Sequence, residues 1–597
     1  MCLQARQQVI VEKMDSEYYI GELAVSAELN GIIALPRTPK HHKLLRSSLQ
    51  RALPHVKLLT RSGSILLSTP VSEEVLHAAN DLRLHLRPGV ERFIKNRIRA
   101  STANTILRQQ VEQIKSGGAR LARTLLPDLS GIHDLDDHQI VNVAAMTLKG
   151  GYGLSIFDEQ GAGKTVTFIH AFDLLVQRDD ADMALIVAPK SMIAEWPKDF
   201  AKFKNDLYKI AILTGSQSEK SRLLSNGADV YVTNFETVVA MEQEIRSLLA
   251  RYENRAVLVV DESFFIKNPE AKRTQALRRL REWVGRAFVL CGTPAPNSPH
   301  DIIEQMNFVD FGTAFESLPR LDEIANAESK IRSVLDTKAL YVRHLKATVL
   351  RQLPKKEFHR IVVPLQPRQQ EIYTAVLSEL IEELQRTTDA QFKKNIGSFL
   401  ARRTALLQTC SHPGSIVSAY SEVPAKLLAL DNLLHDLIGK QGEKVIIWSF
   451  FKYSIDKIMH RYQQFKPARY DGSVPNVQIR GAAVQDFQTD SDTMLFVANP
   501  AAAGAGLTLH RSKYAVYESL SNQPAQYLQS LDRIHRRGQT RTVEYLILLG
   551  KDTIEVQDFA RLGEKERNAQ RLLRDVPEPP ITRESMLREA QAAAILL

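Results

Sequence analysis

Two blocks of this chain alternate short apolar runs with amphipathic helical stretches, and that alternation restricts the fold more than any other feature. In the first block the runs are LSIF at 154–157, ALIVA at 184–188, VYVT at 230–233, VLVV at 257–260 and AFVL at 287–290. In the second, which begins near Lys444, they are VIIW at 445–448, LFVA at 495–498, YAVY at 514–517 and EYLILL at 544–549. Short apolar runs separated by helical stretches suit βαβ units, whose parallel strands are covered on both faces. The pattern predicts an α/β chain of two lobes, each built on a parallel sheet.

The remaining segments follow from where the alternation stops. The expected plan is a small α+β accessory domain over 1–130, a first lobe over 131–310 and a helical insertion or linker over 311–360. A second lobe follows over 361–575, with helical material near 365–420, then a helical tail over 576–597. In the accessory domain, β-like runs at Tyr18–Val25, Gly31–Leu35 and Ile65–Ser68 mix with a helical stretch over His42–Ala52. A chain of 597 residues has room for three or four domains.

The formal charge is +10, and it is uneven. Residues 1–130 hold 19 Lys+Arg against 11 Asp+Glu, a net of +8. Between Arg83 and Arg123 there are ten basic residues and two acidic ones, Glu91 and Glu112. A basic helix over 90–125 suits either phosphate contact on a duplex, through Arg92, Lys95, Arg97 and Arg99, or an acidic protein partner. Phe93 is its only aromatic residue between 83 and 123, which disfavours stacking on single-stranded bases. The three cysteines, Cys2, Cys291 and Cys410, form no close pair, so neither a disulfide framework nor a cysteine-rich zinc site is expected. No run of 18 apolar residues suggests a membrane span, and the amino terminus lacks the apolar core of a secretory signal. A cytoplasmic setting is the expectation.

The strongest local signal is FDEQGAGKT at 157–165, between a strand and an apolar helix. Gly161, Ala162 and Gly163 let backbone N–H groups crowd around phosphate oxygens, and the following helix adds its positive end. Lys164 is placed to reach the β- and γ-phosphates, and the Thr165 hydroxyl to ligate magnesium. Asp158 stands where the eight-residue phosphate-loop consensus has its first glycine. About a hundred residues on, VLVVDES at 257–263 is an apolar strand ending in two carboxylates. Asp261 can hold magnesium there, and Glu262 can polarise an attacking water.

With both motifs in place, residues 131–575 resemble the Swi/Snf family of superfamily 2 helicase-like ATPases, in order along the chain. His138–Gln139 fall at the family's adenine-reading glutamine, and IVAPKSMIAEWPKDFAKF at 186–203 resembles its first DNA-tracking motif, with Trp196. DESFFIKN at 261–268 resembles Asp-Glu-x-His-x-x-Lys-Asn, with Phe264 in place of the histidine. CGTPAPN at 291–297 resembles the coupling motif, with Thr293 and Asn297. LPKKEFHRIVVPLQPRQQEIY at 353–373 resembles the family's passage into the second lobe. KVIIWSFF and YDGS at 470–473 resemble that lobe's opening. AAAGAGLTL at 501–509, with Gly506 toward the nucleotide, and QSLDRIHRRGQ at 529–539 resemble its last two motifs. Ala503 departs from a customary glycine, and SLSNQP at 519–524 lacks the customary tryptophan.

The resemblance implies two RecA-like lobes, ATP and magnesium as cofactors, and translocation along double-stranded DNA without strand separation. Arg533 and Arg536 sit three residues apart, so on a helix they share a face and suit the charge that develops on a triphosphate. A strand-separating DNA or RNA helicase, and an ATP-gated DNA-binding subunit of a defence or repair complex, are the alternatives, and further subunits of such a complex are possible partners. His41–His42 and Cys410/His412 lack further ligands at metal-binding spacing. The arginine-rich stretch at 272–286 reads equally as a phosphate track or a solvated face.

Overall fold

The computed structural model describes residues 20–26, 31–61, 63–67, 73–125, 135–296, 298–315, 327–350, 352–474, 477–502, 507–520, 524–560 and short stretches within 583–591. It divides into two compact units, one of Met1–Ala295 with Pro299–His344, the other of Leu345–Leu597 with Pro296–Ser298.

The first unit opens with a small α+β module. Its strands are β1 (Gly21–Ser26), β2 (Gly31–Pro36), β3 (Leu58–Arg61), β4 (Ser64–Leu67) and β5 (His85–Leu86), in the order β3-β4-β2-β1-β5. Only the β1–β5 pair is parallel; β1–β2, β2–β4 and β3–β4 are antiparallel. Helix α1 (His42–Ala52) buries Leu45, Ser48 and Leu49 against the sheet. This i, i+3, i+4 spacing leaves Lys43, Arg46 and Arg51 on the exposed face.

The basic segment that follows does not stand free. Helix α2 (Val90–Leu125) buries Val90, Phe93 and Ile94 in the module's core. Farther along, Ala100, Leu107, Val111, Ile114 and Ala122 enter the core of the next sheet. At Gly118 the backbone leaves the helical region, with φ 61°, so the segment is two helices joined by a kink. This corrects the expectation of a domain ending at 130, since α2 belongs to two cores at once.

The central sheet of the first unit has seven strands, all paired in parallel: β6 (Gly153–Ile156), β7 (Met183–Val187), β8 (Ile210–Ile212), β9 (Val230–Thr233), β10 (Ala256–Asp261), β11 (Arg286–Leu290) and β12 (Tyr341–Val342). Their order is β12-β6-β11-β10-β7-β9-β8. β7, β9, β10 and β11 are buried throughout, which accounts for their unbroken apolar sequences. All strands run one way, so the segments after β6, β7, β9, β10 and β11 emerge at one edge. In open α/β sheets that edge is where ligands bind.

The described residues of 311–360 do not form a helical insertion. A helix covers Ala327–Thr337, but β12 joins the first sheet and β13 (Lys356–Val363) the second. The second unit carries β13, β14 (Val445–Trp448), β15 (Ala468–Tyr470), β16 (Leu495–Ala498), β17 (Tyr514–Tyr517) and β18 (Val543–Gly550), in the order β13-β18-β17-β14-β16-β15 and all parallel. Both sheets have the parallel, helix-flanked form of a RecA-like lobe. The helical material expected near 365–420 is α3 (Pro367–Arg386) and α4 (Ile396–Ser411), which share a core of Tyr373, Leu377, Leu406 and Cys410. Most of the expected tail lies outside the described residues.

Candidate nucleotide site and nucleic-acid interface

The phosphate loop spans the gap between β6 and the helix at Lys164–Gln177. Gly161 and Gly163 have φ of 84° and 85°, a region that side-chain-bearing residues enter at a cost. Gly163 is also fixed by contact: a Cβ there would lie 2.1 Å from Gln139 Nε2. Gln139 holds the loop directly. Its Nε2 donates to the Ala162 carbonyl at 3.2 Å, while its Oε1 accepts the Asp136 N–H at 2.9 Å and closes the cap of the helix at Asp137–Met146. The His138 ring bonds the same Ala162 carbonyl at 2.8 Å. Lys164 folds its ammonium onto the carbonyls of Asp158 and Glu159, at 2.9 and 3.3 Å. Thr165 is half-buried in the first helical turn, where backbone N–H groups have no partner within the helix.

The departure at Asp158 has a structural role. The residue is fully buried. Asn142 Nδ2 donates to its Oδ2 at 2.5 Å, and the backbone N–H of His344 donates to its Oδ1 at 2.8 Å. The His344 ring lies 2.9 Å from the same oxygen. A glycine there could make none of these bonds.

Asp261 ends β10 with 4% exposure, and its Oδ1 accepts the Glu262 N–H at 2.9 Å. Burial pushes its carboxyl up to about 6, against the pull of Lys164, that backbone bond and the Trp196 indole. Glu262 adopts φ 50°, a left-handed conformation uncommon outside glycine, and such strain concentrates at working sites. Gln160 of the phosphate loop donates its amide to Glu262 Oε1 at 3.1 Å. After β11, a Cβ on Gly292 would lie 3.0 Å from the Gln160 backbone nitrogen. Three loops therefore converge around Gln160, a residue the sequence reading passed over.

Trp196 requires a correction. It is 1% exposed and donates its indole N–H to Asp261 Oδ2 at 3.2 Å. A nucleic acid cannot reach it; it braces Asp261 instead. Thr293 is half-buried in the loop after β11, and Asn297 lies outside the described residues. Phe264, at the family's histidine position, stacks on Phe265 at 4.6 Å between centroids, and Phe265 meets Phe235 at 5.2 Å. Phe235 and Phe265 line a cleft of about 490 Å³ with Lys190, Lys220, Asn234 and Glu236. Lys190 follows β7 inside the proposed tracking motif, so its position was the available signal.

The basic helix also divides. Arg97 is 5% exposed and lies over the Phe93 ring at 4.4 Å, and the Arg92 guanidinium sits 3.6 Å over Trp283. Lys95 and Arg99 remain exposed. The stretch at 272–286 is neither phosphate track nor solvated face. Arg281 is buried and donates to the carbonyls of Tyr152, Val284, Phe308 and Val309, and Arg279 grips Glu242 with two bonds of 2.5 and 2.6 Å.

In the second unit, the helix at Pro524–Leu531 stops before the two arginines. Arg533 and Arg536 lie in a turn, so the shared helical face expected from their spacing is not how they are placed. The Arg533 side chain is buried, and its carbonyl accepts the Leu509 N–H at 2.9 Å. Arg536 donates to the Leu507 carbonyl at 2.8 Å and to Thr508 Oγ1 at 3.0 Å. These bonds join the arginine turn to the segment that follows Gly506, itself outside the described residues.

Comparison with known proteins agrees with this layout. The SNF2-related domain matches residues 137–415, and the helicase conserved C-terminal domain matches residues 425–538. The chain belongs to the Swi/Snf family. Its curated relatives include the human SWI/SNF-related matrix-associated actin-dependent regulator of chromatin subfamily A member 1, 26% identical over 72% of this chain and 43% of that protein. The ISWI chromatin-remodeling complex ATPase ISW1 of Saccharomyces cerevisiae is 26% identical over 69% of this chain and 38% of that protein. This Swi/Snf chain thus spans about two fifths of the length of these relatives. Among solved structures, the Sulfolobus solfataricus SWI2/SNF2 ATPase core in complex with dsDNA is 21% identical over 75% of this chain and 98% of that one, with a TM-score of 0.34. Within the Swi/Snf matches, Gln139, Lys164, Asp261 and Glu262 fall in the first domain and Arg533 and Arg536 in the second. Residues 20–125, with the α+β module, precede both. Among the described residues no helix is long and apolar enough to cross a membrane.

Proposed function

We propose that this chain hydrolyses ATP with magnesium and uses the turnover to move along double-stranded DNA without separating its strands. The observation that carries the reading is the convergence on Gln160 of the phosphate loop, Glu262 and the Gly292 loop, with Gln139 packed beneath Gly163. In this reading Gln139 holds adenine, and Gly161, Ala162 and Gly163 present backbone N–H groups to phosphate. Lys164 leaves the carbonyls it now contacts for the β- and γ-phosphates. Thr165 and Asp261 fit a magnesium site, because a hydroxyl and a carboxylate are the oxygen donors that hard cation takes. A cation held there would supply positive charge to offset that of the phosphates. Glu262, steadied by Gln160, orients and polarises the attacking water. Arg533 and Arg536 meet the charge that develops on the transferred phosphoryl group, and Gly506 is proposed for nucleotide binding from its motif alone.

Duplex DNA is the proposed track. The relatives are named for chromatin, and the cleft bearing Lys190 and Lys220 supplies cations for the sugar-phosphate backbone. Thr293 and Asn297 are proposed to couple that contact to hydrolysis. A second set of contacts is proposed on the accessory module. Residues 29–72 contain no acid, and Arg37, Lys40, Lys43, Arg46, Arg51 and Lys57 are all exposed. This face, together with Lys95 and Arg99, replaces the continuous basic helix as the proposed accessory surface. The buried free thiols of Cys291 and Cys410 suit a reducing cytoplasm.

The test is ATP hydrolysis by the full chain alone and with duplex DNA, single-stranded DNA or RNA. Duplex DNA is expected to stimulate most. Glu262→Gln is expected to retain ATP and lose about 10²-fold or more in turnover, the scale of general-base loss. Stimulation by RNA and not by duplex DNA overturns the substrate class.

A further inference from the structure

The long segment of the second unit begins at Leu345, and Lys346 is the second residue of that segment. Although it carries an ammonium, Lys346 is 5% exposed. The ammonium donates to Asp532 Oδ1 at 2.8 Å and to the His535 carbonyl at 2.8 Å. Lys356, the first residue of β13, approaches the same carboxylate oxygen at 3.4 Å. The His535 ring lies 2.8 Å from the Pro354 carbonyl. One short stretch, 346–356, therefore grips both ends of the turn Asp532–His535. Arg533 lies inside that turn and Arg536 directly after it.

A buried ammonium is costly unless it is paired, and removing one partner of a buried pair leaves an uncompensated charge. Burial pulls Lys346 down to about 8 while Asp532 pulls it back up. Burial acts on Asp532 in the opposite direction, but Lys346 and Lys356 hold its carboxyl well below the usual range. A second buried pair in this unit, Lys426 with Glu555, is a useful contrast. Lys426 also donates to the Glu518 carbonyl and Glu555 accepts the Gly550 N–H, so that pair ties the ends of β17 and β18. The Lys346 pair ties down the arginine turn.

We propose that Lys346 is a positioning residue for hydrolysis, holding Arg533 and Arg536 in register through Asp532 and the His535 carbonyl. Two residues earlier, His344 binds Asp158 of the phosphate loop in the first unit. The stretch 344–346 thus carries one anchor within each unit, to the phosphate loop and to the arginine turn, with Leu345 between them in the chain. This inference rests on the assignment of the two arginines to hydrolysis.

The experiment compares Lys346→Met, Asp532→Asn and the double variant in the full chain, with Arg536→Ala as a reference. Thermal melting reports the fold, a fluorescent ATP analogue the nucleotide affinity, and a labelled duplex the DNA affinity. Each single variant is expected to lose about tenfold or more in kcat, with both affinities within about twofold of the parent, the pattern of an interaction made only in the transition state. The double variant is expected to be no worse than the weaker single one, because both changes cut one linkage. Folded single variants with parental kcat, or losses that multiply in the double variant, overturn the positioning role. Should Lys346→Met fail to fold, Asp532→Asn alone decides, and parental kcat in that folded variant overturns the role equally. Parental turnover in Arg536→Ala instead overturns the reading of the arginines on which the inference stands.

Discussion

At the phosphate loop the side chains proposed to meet phosphate and magnesium are half exposed and held by their own loop: Lys164 rests on the carbonyls of Asp158 and Glu159. At the arginine turn the holding partners are distant in the chain. Arg533 is 1% exposed, Arg536 is bonded to Leu507 and Thr508, and Asp532 is paired with a buried lysine. In the proposed reading, the first region leaves its groups for a ligand to take. The second fixes its groups through neighbouring protein. Binding and turnover should therefore respond to different residues.

The largest effects test that division. Lys164→Ala is expected to abolish turnover by removing phosphate contacts, with ATP affinity falling alongside it. Arg536→Ala is expected to cost about 10³-fold or more in turnover, the scale of arginine fingers, with little change in ATP or DNA affinity. Measured kcat and nucleotide affinity for both variants decide it. An Arg536→Ala protein that binds DNA poorly yet hydrolyses normally breaks the comparison, since the arginine would then face the DNA backbone.

A smaller effect sharpens the first half of the comparison. Trp196→Phe removes the indole bond to Asp261 and leaves a buried carboxylate oxygen short of a donor. The expected cost is about 1–3 kcal/mol of stability. Reduced magnesium-dependent turnover should accompany it, with DNA affinity unchanged. Denaturant melts and a DNA titration check this. A loss of DNA affinity with full stability would return Trp196 to the tracking surface.

The smallest effect concerns the accessory module. Replacing Lys40, Lys43 and Arg51 by glutamine is expected to weaken duplex binding and flatten its salt dependence. Each lost phosphate contact removes about 0.9 from the log–log slope. ATP hydrolysis at saturating DNA should stay near the parent's. An unchanged slope would assign that face to a protein partner. Deleting residues 1–130 is the wrong experiment, because Leu107, Val111 and Ile114 belong to the core of the first lobe.

Much of this was legible in the sequence where burial on both faces leaves an apolar run. VYVT, VIIW, LFVA and YAVY are strands over the very residues expected, and helix α1 covers His42–Ala52 as expected. Strands at the sheet edges were not legible. β13, KEFHRIVV, is largely exposed, so its sequence carries charge where a central strand would not. β8 and β15 are three residues each, too short for a pattern. The phosphate loop and Asp261–Glu262 declare themselves because glycine and paired acids are chemically specific. Trp196 misled because a buried indole and an exposed one are identical in sequence. Arg92 and Arg97 misled for a related reason: an arginine stem packs on an aromatic ring as readily as its head meets phosphate. The arginine turn misled through spacing alone, since i, i+3 implies a shared face only on a helix, and the helix ends at Leu531.

The central claim, motion along duplex DNA driven by ATP, is tested most directly by displacement of a triplex-forming strand. A duplex carrying a labelled third strand is mixed with the full chain and ATP, and release is followed alongside a forked duplex with a labelled second strand. The account predicts that the third strand is released at the expense of ATP, that Glu262→Gln releases none, and that the forked duplex stays intact. Separation of the fork, or ATP hydrolysis that duplex DNA stimulates with no release of the third strand at any duplex length, would contradict it.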